Sequence, residues 1–238
     1  MGSLTELQAF GVPRPLPLRR ILEERNLTPG VVVHAGAHEG QELETYLACG
    51  FDTIVYCEPH PQTFERLELH VGFWRAWLDV FAKHFSMRAP TLVTVPRALC
   101  EYNGVTKFHQ TFHEVCSSIM DVDDGRIQVV NALEVPCCRL DDLLDELNVP
   151  PQQVGFLNLD VQGAELRVLS GAPRLLAHLP LALIEINRVA RYHGQATEED
   201  ILSLLARSGL AEVGRASPYP SYPAADILVA RRFPGGMD

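Results

Sequence analysis

Two carboxylic acids at the ends of apolar runs are the side chains best suited to chemistry in this sequence. Glu58 follows the run 53–57, and Asp160 ends the run 156–160. Both runs have the length and the apolar content of buried strands. Because ligands bind beyond the carboxyl ends of parallel strands in open α/β sheets, both acids are expected to face one crevice.

A third apolar run leads into a turn that contains two glycines. The segment reads VVVHAGAHEGQE from residue 31 to residue 42. Three consecutive valines suit a strand that is buried on both faces. Gly36 and Gly40 would let the backbone approach a ligand that a Cβ would keep away. A helix beginning near residues 38–41 would direct unpaired N–H groups and its positive dipole end towards the same ligand.

The spacing of glycines and acids favours a cofactor that contains a nucleoside. Glu58 follows the next strand, where a carboxylate accepts hydrogen bonds from the two ribose hydroxyls. Ala37 replaces the middle glycine of the dinucleotide pattern G-x-G-x-x-G, which weakens an NAD interpretation. It leaves room for a ligand with an amino acid tail, such as S-adenosylmethionine. An NAD-dependent oxidoreductase and a non-catalytic nucleoside-binding module remain alternatives.

Composition excludes two classes of partner. The 238 residues carry 20 Lys and Arg against 30 Asp and Glu, a formal net charge of −10. Such a charge repels a phosphate backbone, and no local basic cluster offsets it, so nucleic acid is not expected as a partner. No apolar run approaches the ~18 residues that a membrane helix needs. We therefore expect a cytoplasmic protein without a membrane partner.

Neither the cysteines nor the histidines have the spacing of metal ligands. The six cysteines contain no C-x-x-C pair, so reduced, mostly buried thiols are expected. His109, His113, Glu114 and Cys116 lie close together in the sequence, but in a segment typical of a loop and without a further strong ligand pair. No metal site is predicted.

Alternating strand and helix patterns predict an α/β fold with a short N-terminal extension. Residues 1–30, with several prolines, are expected to form an arm and a short helix, and residues 31–238 a single domain. A helical, aromatic-rich insertion is predicted near residues 64–88. Residues 91–95 and 98–99 are predicted to form a strand interrupted by Pro96, and a turn at 101–104 is expected to join it to a strand at 105–108 as in a hairpin.

The aromatic side chains of the predicted helical insertion have two interpretations. Phe64, Phe73, Trp74, Trp77, Phe81 and Phe85 recur at near-helical spacing. Core packing is the favoured interpretation, because aromatic stripes usually fill protein interiors. The alternative is a lid or the surface of a homodimer.

Three segments of the chain resemble the FkbM family of S-adenosylmethionine-dependent methyltransferases: VVVHAGAHEGQE, YCEPHPQTFERL and FLNLDVQGAELRVLSGA. The resemblance runs from about Val31 to Asn187, and its last segment is the most specific. It implies a Rossmann-like class I methyltransferase fold, with a central, mostly parallel seven-stranded sheet, helices on both faces and an antiparallel last strand. It also implies S-adenosyl-L-methionine as cofactor and, usually, methylation of a hydroxyl on a sugar or secondary metabolite, a small-molecule acceptor.

The resemblance assigns cofactor contacts residue by residue. Glu58 matches the acid that binds ribose, and Ser117 lies in a serine pair that the family often has. His34, Asn158 and Gln162 depart from the Asp, Lys and Glu of many members. The implied cofactor-binding residues are His34, Gly36, Ala37, His38, Gly40, Gln41, Glu58, Ser117, Asp160 and Gln162.

Methyl transfer to a hydroxyl needs a group that accepts the hydroxyl proton. The sequence offers Asp160, His193 and His38 as bases, and the first two are preferred. Asp160 lies where a strand meets the crevice, and His193 lies on a late loop with a pKa range suited to neutral pH. We therefore predict Asp160 and His193 as catalytic residues.

Overall fold

The computed structural model describes residues 16–217 and 224–232. Most of the predicted N-terminal arm and the proline-rich connection at 218–223 lie outside these residues. The strands of the described part are β1 (Val31–Ala35), β2 (Thr53–Cys57), β3 (Thr91–Val95), β4 (Ala98–Leu99), β5 (Gly104–Thr111), β6 (Val129–Cys138), β7 (Val154–Leu159), β8 (Leu181–Asn187), β9 (Leu210–Ala216) and β10 (Ala224–Arg231).

Seven of these strands form the central sheet, in the order β3-β2-β1-β7-β8-β10-β9. The neighbours from β3 to β8 run parallel, and β10 runs antiparallel to both β8 and β9. All five residues of β1 are buried, as the valine run predicts. The predicted mostly parallel sheet with an antiparallel last strand is confirmed. The carboxyl ends of β1, β2 and β7 meet at one edge.

Helices cover both faces of this sheet, as predicted. They are α1 (Leu18–Glu24), α2 (Leu43–Cys49), α3 (Pro61–Phe85), α4 (Leu140–Glu146), α5 (Glu165–Ser170), α6 (Pro173–Leu176) and α7 (Glu198–Arg207), with short 3₁₀ turns at Glu114–Cys116 and Pro151–Gln153. One buried core joins the sheet to α1, α2 and α3, and a second joins its other face to α4 through α7. None of the helices in this part of the chain is long and apolar enough to cross a membrane.

Strands β4, β5 and β6 form a separate small sheet in the order β4-β6-β5. The predicted hairpin between 98–99 and 105–108 is therefore wrong. Strand β6 lies between the two segments, parallel to β4 and antiparallel to β5. The alternation of residues within each segment is compatible with either pairing, and only the distant β6, ten residues long, decides between them.

Helix α3 changes from a buried to an exposed element along its length. Its buried residues end at Val71, and Phe64 and Trp74 pack against the core. After Val71, the other large aromatic side chains of the helix face outwards: Phe73 is 66% exposed, Trp77 45%, Phe81 38% and Phe85 55%. Core packing, the favoured interpretation of the aromatic residues, is therefore wrong for the last turns of the helix. A homodimer through this surface stays a prediction.

Candidate functional site

A cleft of about 370 Å³ lies at the carboxyl ends of β1, β2 and β7, at the edge where the sequence predicts a ligand. This volume is within the usual range for small-molecule sites. The structure brings most of the predicted site residues to its wall: His34, Gly36, Ala37, His38, Gln41, Glu58, Ser117, Asp160 and Gln162. Gly40 and His193 do not line this cleft in the part of the chain that the structure describes.

The two glycines of the turn make room for the chain itself. Gly36 has φ +76°, and a Cβ there would lie 1.7 Å from the carbonyl oxygen of Asp160. Gly40 has φ +75°, and a Cβ there would lie 2.9 Å from Leu67 Cδ1. Gly36 lets the end of β7 pack directly against the turn after β1. The role of both glycines in the approach of a ligand stays a prediction.

The amides of the turn are already hydrogen-bonded within the protein. The Gly36 and Ala37 N–H groups donate to the Cys57 carbonyl at 3.0 and 3.1 Å. The His38 N–H donates to Glu58 Oε2 at 3.0 Å. Helix α2 begins at Leu43 rather than near residues 38–41. The prediction that unpaired N–H groups of this turn face the ligand is thus wrong for these three residues.

Glu58 is buried at the end of β2, with 6% of its surface exposed. Its Oε2 accepts the His38 N–H, and its Oε1 accepts the His60 N–H at 2.8 Å. Burial raises the pKa of this carboxyl to about 7, against the opposing effect of the two N–H donors. Each oxygen retains a second lone pair. The backbone N–H groups therefore hold the side chain in place, and its oxygens can still accept hydrogen bonds from the hydroxyl groups of a ligand.

Asp160 belongs to a hydrogen-bonded group of three side chains. Gln162, held in a left-handed conformation with φ +53°, donates from Nε2 to Asp160 Oδ1 at 2.7 Å and to Glu185 Oε2 at 2.5 Å. Burial and then the neighbouring Asp160 raise the pKa of Glu185 to about 9. At neutral pH Glu185 therefore carries a proton and hydrogen-bonds to Asp160.

His34 is held in a buried network beside this group. Its Nε2 lies 3.2 Å from Asn158 Nδ2, and its Nδ1 lies 3.2 Å from the Tyr46 hydroxyl. Asn158 also donates to that hydroxyl at 2.9 Å. Burial lowers the pKa of His34 to about 4. Two of the residues that depart from the family pattern, His34 and Asn158, thus contact one another as neutral groups.

The segment between β5 and β6 covers the cleft and supplies Ser117. The Ser117 hydroxyl accepts the Thr111 N–H at 3.0 Å. Its neighbour Ser118 donates to the Gln162 carbonyl at 2.7 Å, and the Tyr192 hydroxyl donates to the Cys116 carbonyl at 2.9 Å. The Ser118 bond attaches this segment to the turn after β7, and the Tyr192 bond attaches it to the loop after β8. Both serines of the predicted pair line the cleft.

Some sequence assignments lack support from this geometry. His193 is exposed, and its N–H donates to the Asp121 carbonyl at 2.7 Å outside the cleft. Its role as a base stays a prediction. Within the described ranges, no group of three or more His, Cys, Asp or Glu residues is arranged to hold a metal ion.

Glu185 is the site residue that sequence reasoning missed. Like Glu58 and Asp160, it lies towards the carboxyl end of a buried strand, and this shared position was the available signal. Its contacts with Gln162 and Asp160 depend on the register of β7 against β8, which the sequence alone does not fix.

The proton on Glu185 predicts how stability changes with pH. Between pH 7 and 9 the folded chain retains this proton, whereas an unfolded glutamic acid, with a pKa of 4.5, has lost it. The folded state therefore binds more protons, and the free energy of unfolding should fall as pH rises, by about 1 kcal/mol per unit from this group. Because the pKa of His34 is lowered in the folded chain, this residue makes stability rise with pH, but only below its ordinary pKa of 6.5. Urea denaturation at pH 7, 8 and 9 measures the slope.

Glu185→Gln provides the control for this pH dependence. A glutamine cannot ionise, so the decline between pH 7 and 9 should become shallower than in the unmodified protein. Other groups, such as buried thiols, contribute equally to both proteins and cancel in the difference. Equal slopes would show that Glu185 does not hold a proton in the folded chain.

The comparison with protein families connects this geometry to known proteins. Residues 34–212 match the model of the methyltransferase FkbM domain. The chain belongs to the FkbM methyltransferase family. This match includes the turn after β1, Glu58, the serine pair and the Asp160 segment. No curated protein matches the chain at a significant level.

A solved structure agrees with this family in fold. The FkbM methyltransferase from Methylobacillus flagellatus KT is 16% identical, with a TM-score of 0.55 over 94% of this chain and 50% of that chain. This FkbM chain thus spans half the length of that relative. The magnesium protoporphyrin IX methyltransferase from Synechocystis PCC 6803, solved with bound S-adenosylmethionine, is 13% identical, with a TM-score of 0.45 over 90% and 76% of the two chains. The family match and the order of the strands together show that this chain has a Rossmann-like class I methyltransferase fold.

Proposed function

We propose that this FkbM-family chain is an S-adenosylmethionine-dependent methyltransferase that methylates a hydroxyl group of a small molecule. The observation that carries this proposal is the meeting of Glu58 and Asp160 in one cleft, on either side of the turn after β1. Glu58 would bind the ribose hydroxyls of the cofactor. Asp160 would face the place of methyl transfer.

The residues of the cleft fit such a cofactor. Both oxygens of Glu58 are oriented by backbone N–H groups, which leaves lone pairs for two hydroxyls. Beyond the ribose, the wall formed by Ala98, Leu99, Phe108 and Ile119 is apolar, as an adenine ring requires. A cleft of about 370 Å³ can hold a molecule of this size.

The chain's own residues would then align the acceptor and take its proton. When bound, S-adenosylmethionine supplies an electrophilic methyl group on a sulfonium. Asp160 would accept the proton of the acceptor hydroxyl as that oxygen attacks. Gln162 holds the Asp160 carboxylate in position at 2.7 Å. Glu185, which carries a proton near pH 7, would donate a hydrogen bond to Asp160 and help to orient it.

A second cavity supplies space for the acceptor. It has a volume of about 250 Å³ and shares His34, Glu42 and Asp160 with the cofactor cleft. Its other described walls include Leu16 and Leu18, and no Lys or Arg is among its lining residues. A neutral small molecule with a hydroxyl group suits this lining better than an anion. Location in the cytoplasm and a role in natural-product biosynthesis remain predictions.

Calorimetric titration tests the proposed cofactor. S-adenosylmethionine and S-adenosylhomocysteine should bind with micromolar affinity, whereas NAD should not bind. Methyl transfer is then measured with tritiated S-adenosylmethionine and a panel of hydroxylated sugars and secondary metabolites. Binding of NAD alone would favour the oxidoreductase alternative. Binding of S-adenosylhomocysteine without transfer to any acceptor would favour a nucleoside-binding module.

A further inference from the structure

Among the residues that the structure describes, four carboxyl side chains line the cofactor cleft, and three of them have partners there. Glu58 accepts two backbone N–H groups, and Asp160 accepts the Gln162 amide. Glu114 is ion-paired with Arg66. The fourth, Glu42, directly precedes helix α2 and lines both cavities.

The Glu42 side chain is 43% exposed as a whole, but its Oε2 is buried and has no hydrogen-bond partner among the described residues. The atom lies 3.7 Å from His34 Nδ1. That imidazole cannot neutralise it near pH 7, because burial lowers the pKa of His34 to about 4. Buried polar atoms in proteins are nearly always satisfied. An unsatisfied carboxylate oxygen on the wall of a binding cleft indicates a partner that arrives with the ligand.

The chemistry of this partner follows from the charge of Glu42 and of its surroundings. Burial raises the pKa of the Glu42 carboxyl, against the smaller opposing effects of a hydrogen bond with its own backbone and of the nearby His38. Its neighbours include the hydroxyl of Tyr56, also buried without a partner, and that of Tyr46, and neither carries positive charge. A cation with N–H donors would both balance the negative charge of the carboxylate and donate a hydrogen bond to its free oxygen. The amino acid tail of S-adenosylmethionine ends in such a group, its α-ammonium.

We propose that Glu42 binds the α-ammonium of the cofactor's amino acid tail, and so selects ligands that carry this tail. The proposal rests on the proposed function and adds a residue to the cofactor site that neither the glycine pattern nor the family resemblance assigns. Glu58 would hold the nucleoside end of the ligand, and Glu42 the opposite end. The two contacts are therefore separable by choosing ligands with and without the tail.

The test compares S-adenosylhomocysteine with 5′-methylthioadenosine, which keeps the nucleoside and the sulfur but lacks the tail. Glu42→Gln should weaken S-adenosylhomocysteine binding by about 10- to 100-fold, the usual loss for a hydrogen bond to a charged group. Binding of 5′-methylthioadenosine should change less than twofold. Glu44→Gln, an exposed acid in the first turn of α2, is the matched control and should leave both affinities unchanged.

A ligand-side measurement completes the test. The deaminated analogue of S-adenosylhomocysteine should bind the unmodified protein about as weakly as S-adenosylhomocysteine binds Glu42→Gln, and the two changes together should add little. Full additivity of the two losses, or an equal loss for 5′-methylthioadenosine, would overturn the role of Glu42. Failure of the unmodified protein to bind either nucleoside would overturn the proposed function itself.

Discussion

Asp160→Asn is expected to lower the rate of methyl transfer by about 100- to 10,000-fold while the protein stays folded, because loss of a general base typically costs this much. Asparagine keeps the size of the side chain and the oxygen that accepts the Gln162 N–H, but it cannot accept a proton from the acceptor hydroxyl. Steady-state turnover and the thermal unfolding midpoint, measured together, separate chemistry from folding. Unchanged turnover in a stable variant would reject Asp160 as the base.

Glu185→Gln is the matched comparison for this variant. Glu185 is already neutral near pH 7, since burial and Asp160 raise its pKa to about 9. A glutamine at this position preserves a neutral side chain with a donor towards Asp160. Turnover at pH 7 should therefore fall far less than in Asp160→Asn. A loss of equal size would indicate that the proton on Glu185, rather than the charge on Asp160, is needed for transfer.

The convergence of Glu58 and Asp160 could be predicted because it depends on local patterns. Each acid follows a short apolar run, and such runs become parallel strands whose carboxyl ends share an edge. The strands predicted from the valines of β1 and from the run 53–57 are likewise confirmed. Since β2 and β7 both run parallel to β1 and flank it, the acids that follow them lie at the same edge of the sheet.

Features that depend on distant neighbours could not be predicted in this way. The exposure of Phe81 and Phe85 follows from where the core under helix α3 ends, and spacing within the helix does not contain this information. The insertion of β6 between β4 and β5 has the same origin. The proton on Glu185 requires both its burial and its contact with Asp160, from another strand. In each case a partner remote in sequence sets the outcome.

The role of Gly36 leads to the second large expected effect, on stability. Gly36→Ala should lower the free energy of unfolding by about 3 kcal/mol or more, as severe backbone clashes do. Its Cβ would lie 1.7 Å from the Asp160 carbonyl oxygen, a backbone atom that moves only if the end of β7 moves. Cofactor affinity should fall as well, because Asp160 and Gln162 would be displaced. Urea denaturation and titration with S-adenosylhomocysteine measure the two effects.

Gly50→Ala separates the clash from the conformational cost of alanine at positive φ. Gly50 has φ +79°, close to the +76° of Gly36, but a Cβ at Gly50 meets nothing within 4 Å. That variant should lose only about 1 kcal/mol, the cost of a left-handed conformation for a residue with a Cβ. The excess loss in Gly36→Ala then measures the contact between the turn after β1 and the end of β7. Equal losses in the two variants would mean that the backbone at Asp160 moves aside at no cost. Such mobility would contradict a catalytic carboxylate held in a fixed position.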